Sequence, residues 1–378
     1  MQIGDAVVIG RDGLDQLLGA LQARGMRTIG PVVRDGAIVP GEIERADDLP
    51  VGWHDEQAPG RYRLAHQEDP ELFGWAVGPG SWKAEFFPAS ETVFRARVEG
   101  VGLSVEEPAL PAAPTAVVGA RPCELAALDV LDRVLGGGAV PDPRYLERRR
   151  ASFVVATDCG RPSASCFCSS MGTGPEAREG FDLALSEVLD GKRHRFVVRV
   201  GSAAGAAVLE ELPTTPLDDD TSEARREVLE GAARAMRRSL ETEGLPELLA
   251  RTLEHPRWAD VADRCLACGN CTLVCPTCFC SDVDDVSELD GTVERRRRWA
   301  SCFDLAHSEL HSGPVRASTS SRYRQWLTHK LGTWWDQFGT SGCVGCGRCI
   351  TWCPVGIDLT EEVAALSTDH EPVGAAGP

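Results

Sequence analysis

Cys265-Leu266-Ala267-Cys268-Gly269-Asn270-Cys271-Thr272-Leu273-Val274-Cys275-Pro276 decides how this chain is read. Its spacing returns at Cys343-Val344-Gly345-Cys346-Gly347-Arg348-Cys349-Ile350-Thr351-Trp352-Cys353-Pro354. Both segments are Cys-x2-Cys-x2-Cys-x3-Cys-Pro. In such a run three thiolates on a tight turn hold three irons of a [4Fe-4S] cube, and the fourth, before the proline, ligates the cube of the other segment. The reading is therefore two cubes, one on Cys265, Cys268, Cys271 and Cys353, the other on Cys343, Cys346, Cys349 and Cys275. Gly269, Gly345 and Gly347 allow the left-handed or crowded backbone that brings amides near cluster sulfurs. Zinc also takes four cysteines, but its sites usually pair two Cys-x2-Cys knuckles and do not need the terminal Cys-Pro.

The remaining length rules out a lone small ferredoxin, because 378 residues suffice for two or three domains with their own cores. A formal charge of -18 describes an acidic protein that repels nucleic acid and anionic membrane, so basic partners fit better. Met1-Gln2-Ile3-Gly4-Asp5 lacks a charged leader with an apolar core, and no run has the apolar length of a membrane span. The expectation is a cytoplasmic protein, in which clustered cysteines are metal ligands rather than disulfides.

In chain order, Leu14, Leu17, Leu18 and Leu21 predict a helix over 13–24, and residues 28–39 alternate about Asp35-Gly36 like a hairpin. Residues 75–98 read as strands and packing with no chemistry. Thr115 to Gly119 predicts a strand that turns into a helix over 123–135, with Cys123 at its N-terminus, where amides favour a thiolate. Ser152 to Ala156 predicts a second strand, ending at Asp158-Cys159, and Cys166-Phe167-Cys168 follows. Four cysteines at strand ends, Cys123, Cys159, Cys166 and Cys168, match the number for a third [4Fe-4S] cube. Inert buried thiols and zinc are the competing readings. The Gly172 and Gly174 loop lacks a full phosphate-binding pattern and reads as a turn. Residues 195–200 predict another strand, and a helix over 222–243, capped near Asp218, joins the domains.

Residues 277–342 form a large insert between the two cysteine runs. Residues 282–290 read as an acidic turn and 323–338 as a helix carrying Trp326, Trp334 and Trp335, aromatics read as core rather than as an electron path. Arg295 to Arg298 suit either an acidic partner or a solvated face that neutralises nearby carboxylates. Cys278, Cys280 and Cys302 are one short of a four-cysteine site and are expected to be structural. The fold class is α+β: an N-terminal α/β domain with a helical linker over 1–255, a bacterial-type dicluster ferredoxin domain with a large insert over 256–365, and a flexible tail over 366–378. No nucleophile with its base and no complete nucleotide site is legible, so the residues read as an electron carrier; a structural metal-binding scaffold is the alternative of another class.

Gly119-Ala120-Arg121-Pro122-Cys123-Glu124-Leu125-Ala126-Ala127, the run from Cys166 to Pro175, Cys275 to Cys280, Arg322 to Lys330 and Cys343 to Cys349 together carry a resemblance to a known family. From about residue 115 the chain resembles the beta subunit of cytoplasmic NAD(P)-linked [NiFe] hydrogenases, or sulfhydrogenases, and the related iron-sulfur component of anaerobic sulfite reductase. The resemblance implies an iron-sulfur protein that passes electrons between a flavin subunit handling NAD(P)H and a catalytic partner. That partner is the small and large hydrogenase subunits, or a sulfite or sulfur reductase subunit. Family members often have Asp where Glu124 and Ala300 stand here.

Overall fold

The computed structural model describes residues 1–99, 102–110, 113–191 and 193–368. Its first sheet has eight strands in the order Thr215–Pro216, Ala6–Gly10, Arg193–Val200, Leu183–Asp190, Ser152–Thr157, Thr115–Ala120, Arg27–Arg34 and Ala37–Glu42. The three pairings among Leu183–Asp190, Ser152–Thr157, Thr115–Ala120 and Arg27–Arg34 are parallel. Their continuous apolar runs follow from burial on both faces. Ala116, Val118, Phe153 and Val155 meet Leu14, Leu17, Leu18 and Leu21 of helix Arg11–Ala23 on one side. Val117, Val154 and Ala156 meet Leu125, Leu128 and Leu131 of helix Pro122–Gly136 on the other. The expected hairpin is present, with Asp35 at φ 50° and Gly36 at φ 74° forming the left-handed pair that a two-residue turn requires.

Strands Thr115–Ala120 and Ser152–Thr157 end in register, Ala120 opposite Ala156. Parallel neighbours deliver their following loops to one edge, so residues 121–123 and 158–159 emerge side by side.

A second, antiparallel sheet runs Ser281–Ser287, Thr292–Trp299, Ser90–Glu99, Gly102–Glu106. It is built from strands on both sides of the boundary expected at 255/256. The stretch expected as an acidic turn is mostly a strand, because four successive residues, Asp282 to Asp285, pair with the four arginines Arg298 to Arg295 across the ladder. Arg295 bonds Asp285 at 2.8 Å, and Arg297 bonds Glu91 at 2.6 Å, so these arginines neutralise nearby carboxylates.

Trp258, Phe303, Tyr323, Trp326, Leu327, Leu331, Ile350, Val363 and Leu366 of the C-terminal region share one core with Phe167, Leu240 and Leu249 from before residue 256. The expected helix over 323–338 is Thr319–Thr328, a π turn over His329–Thr333 and then Trp334–Phe338. The helix expected over 222–243 spans Asp219–Ala235, starting where Asp218 accepts the Thr221 amide at 2.7 Å. It stops early because Met236 turns extended and Arg238 is drawn to Asp358 and the Ala164 carbonyl. Residues 366–368, expected as tail, belong to helix Leu359–Thr368, where Leu366 is fully buried; the rest of the expected tail lies outside the described residues.

Candidate metal centres

The two cysteine runs adopt one backbone. Ala267 and Gly269 have φ 51° and 75°, and Gly345 and Gly347, at the matching positions, have 66° and 74°. This left-handed pair turns amides inward: the Ala267 N–H donates to Cys265 Sγ at 3.4 Å and the Gly345 N–H to Cys343 Sγ at 3.5 Å. The Ile357 N–H does the same for Cys353 Sγ at 3.3 Å.

Cys265, Cys268, Cys271 and Cys353 line one cavity, roofed by Phe303, Tyr323, Trp326 and Ile357. Here the second run lends its last cysteine to the first. Cys275 makes the reverse crossing. Burial pushes the Cys343 thiol up to about 12. Lys330 Nζ bridges Cys275 Sγ at 3.2 Å and the Gly342 carbonyl, next to Cys343, at 3.0 Å, which sets Cys275 beside the second run. Cys349 lines that first cavity too, so the two groups adjoin. A tetrahedral zinc at about 2.3 Å from each sulfur needs sulfurs about 3.8 Å apart. Among the described residues no three cysteines bring their sulfurs within 4.8 Å of one another. These thiols are splayed for something larger than one ion. The first cavity also carries donors suited to cluster sulfur: Tyr323 Oη and Trp326 Nε1 are buried there without a hydrogen-bond partner.

Cys123, Cys159, Cys166 and Cys168 line a further cavity with Val77, Arg121 and Gly174. All four are at most 9% exposed. Arg121 fixes the two strand ends to each other, donating to the Asp158 carbonyl at 2.7 Å and to the Phe73 and Trp75 carbonyls. Asp158 accepts from Ser186, Arg199 and Arg225, which holds Cys159 in place. The Gly172 to Gly174 loop is a turn, as expected, and it closes the cavity, since a Cβ on Gly174 would stand 2.9 Å from Cys168 Sγ. The helix N-terminus does not make Cys123 a ready thiolate: burial, then the charges of Cys346 and Cys168, push its thiol well up. Positive charge brought by iron is what would let these thiols ionise together.

This third group abuts the second. The Phe167 N–H donates to the Gly345 carbonyl at 2.9 Å, and Thr173 donates to the Val344 carbonyl at 2.6 Å. A Cβ on Gly345 would lie 2.6 Å from the Cys168 Cα, and one on Gly347 2.4 Å from the Ser165 carbonyl. Glu124 and Arg348, both buried, join the two groups by an ion pair at 2.6 Å, and Arg348 also donates to the Gly78 and Gly80 carbonyls.

Several residues here were not legible as functional. Lys83, in a stretch read as plain packing, donates to the Cys275 and Cys278 carbonyls at 2.9 and 3.0 Å. Lys330 donates to Cys275 Sγ at 3.2 Å. A lysine in a mostly apolar segment was the available signal. The neighbouring Cys278 thiol and then the Lys330 charge hold the Cys275 thiol well below its usual range. Burial and then the Cys280 charge push the Cys302 thiol up to about 12, and the Ala300 N–H, two residues before Cys302, donates to the Cys280 carbonyl at 2.8 Å. His54, Asp69 and Glu71 also converge, but both ring nitrogens of His54 are engaged, by the Gly74 carbonyl and Asp69 at 2.7 Å each. That ring offers no ligand atom.

With this geometry in view, the family model of 4Fe-4S dicluster domains matches residues 264–357. The chain is 37% identical over 244 residues to sulfhydrogenase 2 subunit beta of Pyrococcus furiosus, which is 64% of this chain and 70% of that one. Among the described residues no helix is long and apolar enough to cross a membrane. The chain belongs to the sulfhydrogenase beta-subunit family and is an electron-transfer iron-sulfur subunit with a 4Fe-4S dicluster domain.

Proposed function

We propose that this chain holds three [4Fe-4S] cubes in series: on Cys265, Cys268, Cys271 and Cys353; on Cys275, Cys343, Cys346 and Cys349; and on Cys123, Cys159, Cys166 and Cys168. In this reading it works in the cytoplasm between a flavin subunit that handles NAD(P)H and the small and large subunits of a [NiFe] hydrogenase. The observation that carries it is the adjacency of three cysteine groups in a row: Cys349 lines the first cavity with Cys271, and Cys346 packs in one cluster with Cys123 and Cys168, its carbonyl 3.9 Å from Cys166 Sγ. When bound, each cube supplies one-electron transfer with little rearrangement. The chain's own residues hold the sulfurs, keep water from the inner two groups and set the local charge. Cys268 is exposed, and Leu266, Leu273 and Val355 around it are exposed apolar residues, which supports the first group as the end a partner meets. The fifteen free cysteines suit a reducing compartment. The hydrogenase partners rest on the relative's name.

Anaerobic iron analysis of the full chain tests the reading: about twelve irons are expected, falling to about eight in Cys168→Ala. About eight irons in the unaltered chain would remove the third cube. Robust NAD(P)H oxidation by the chain without flavin would overturn the relay.

A further inference from the structure

Of the 39 lysines and arginines in this chain only three are lysines, Lys83, Lys192 and Lys330. Lys192 lies outside the described residues. The other two are buried, 2% and 3% exposed, and both bind the segment that carries Cys275. A chain that uses arginine nearly everywhere keeps lysine here, where a compact ammonium fits and a guanidinium fork does not.

Lys330 spends its three N–H groups on three partners: Cys275 Sγ at 3.2 Å, Thr277 Oγ1 at 3.0 Å and the Gly342 carbonyl at 3.0 Å. Thr277 in turn donates to the Gly342 carbonyl at 2.6 Å, so the ammonium cannot drift. The residue sits on the π turn His329–Thr333, an irregularity that often accompanies a functional position in a helix. Lys83, from the other side, donates to the carbonyls of Cys275 and Cys278 and lies 3.7 Å from the centre of the Trp299 ring. Among the described residues neither lysine has a carboxylate within 4 Å. A buried ammonium without a counter-charge is costly, and the anion that Lys330 touches is the Cys275 sulfur.

We infer that Lys330, backed by Lys83, is the positioning cation that raises the reduction potential of the cube on Cys275, Cys343, Cys346 and Cys349, and so sets the middle step of the relay. The inference rests on the proposed ligand set for that cube. Its physics is direct: reduction adds one negative charge to the cube, and a fixed cation at a ligand sulfur favours the more negative form. A purely structural lysine would hold the loop and leave the potential where it was.

The test is a redox titration of the full chain, prepared anaerobically and followed by electron paramagnetic resonance, with the cube's signal identified by its loss in Cys343→Ser. In Lys330→Gln, at the wild-type midpoint, the reduced-to-oxidised ratio of that signal should fall about tenfold, a shift of about 59 mV downward for one electron. The other signals should hold within about twofold. A Lys330→Gln protein with the signal intact and its midpoint unchanged overturns the inference while leaving the cluster assignment standing; failure of Cys343→Ser to remove any signal overturns the assignment itself. If Lys330→Gln does not assemble the cube, Lys83→Gln decides: a downward shift supports the inference, and no shift or an upward one overturns it.

Discussion

Replacing Glu124 by Gln is the sharpest test of how the inner two cysteine groups are held together. The Arg348 side chain is 1% exposed and Glu124 is 6%, and they meet at 2.6 Å. Arg348 is anchored by two carbonyls besides, Gly78 at 2.8 Å and Gly80 at 3.0 Å. Glu124 also accepts the Arg121 amide at 3.2 Å as part of the cap on helix Pro122–Gly136. Removing one partner of a buried pair leaves an uncompensated charge, which costs about 3–5 kcal/mol. Losing the cap charge adds about 1 kcal/mol. Anaerobic thermal unfolding should therefore show Tm lower by on the order of 10 °C in Glu124→Gln. Arg348→Met should be worse, because it also strips a donor from two buried carbonyls. The double variant Glu124→Gln with Arg348→Met should be less damaging than the sum of the singles, since with both charges gone neither is stranded. A loss below about 1 kcal/mol in Glu124→Gln, or strict additivity in the double variant, would refute the claim that this pair joins the two groups.

Other consequences follow from the same geometry. Cys275→Ser should disturb the spectroscopic signal that Cys343→Ser disturbs, not the one lost in Cys265→Ser; the opposite pattern in electron paramagnetic resonance would contradict the crossing of the fourth cysteines. Gly345→Ala would put a Cβ 2.6 Å from backbone at Cys168 and strain a φ of 66°, so iron analysis should show loss from the second and third groups with the first retained. Glu91 is buried and binds Arg144 at 2.7 Å, Arg297 at 2.6 Å and Arg148, tying the second sheet to helix Pro143–Arg150. Burial raises its pKa, but Arg148 and Arg144 outweigh that and hold the carboxyl below its usual range. Because the folded value lies below the unfolded one, this stability is full above the ordinary glutamate pKa, near 4.3, and is lost as pH falls through the folded value. Glu91→Gln should cost about 3–5 kcal/mol near neutral pH and flatten the acid limb of a stability profile; an unchanged acid limb would show that the cluster does not titrate with folding.

The cysteine spacing, by itself, determined the dicluster part and predicted the exchange of Cys275 and Cys353 proposed above, because ligand order in such a run is a local property of tight turns at Ala267, Gly269, Gly345 and Gly347. Apolar runs likewise marked Thr115–Ala120 and Ser152–Thr157, and hence the strand-end placement of Cys123 and Cys159. Local pattern could not decide whether residues 282–290 were turn or strand, since their partner strand Thr292–Trp299 is itself held by Ser90–Glu99, from nearly two hundred residues away. Nor could it show why the helix after Asp218 stops at Ala235, which depends on Asp358 attracting Arg238. The charges around the cysteines were the least legible. Glu124 meets Arg348, and Lys83 and Lys330 close on Cys275, only after distant segments pack. Sequence spacing specified which sulfurs belong together; tertiary packing decided which buried charges surround them, because electrostatics acts through space and not along the chain.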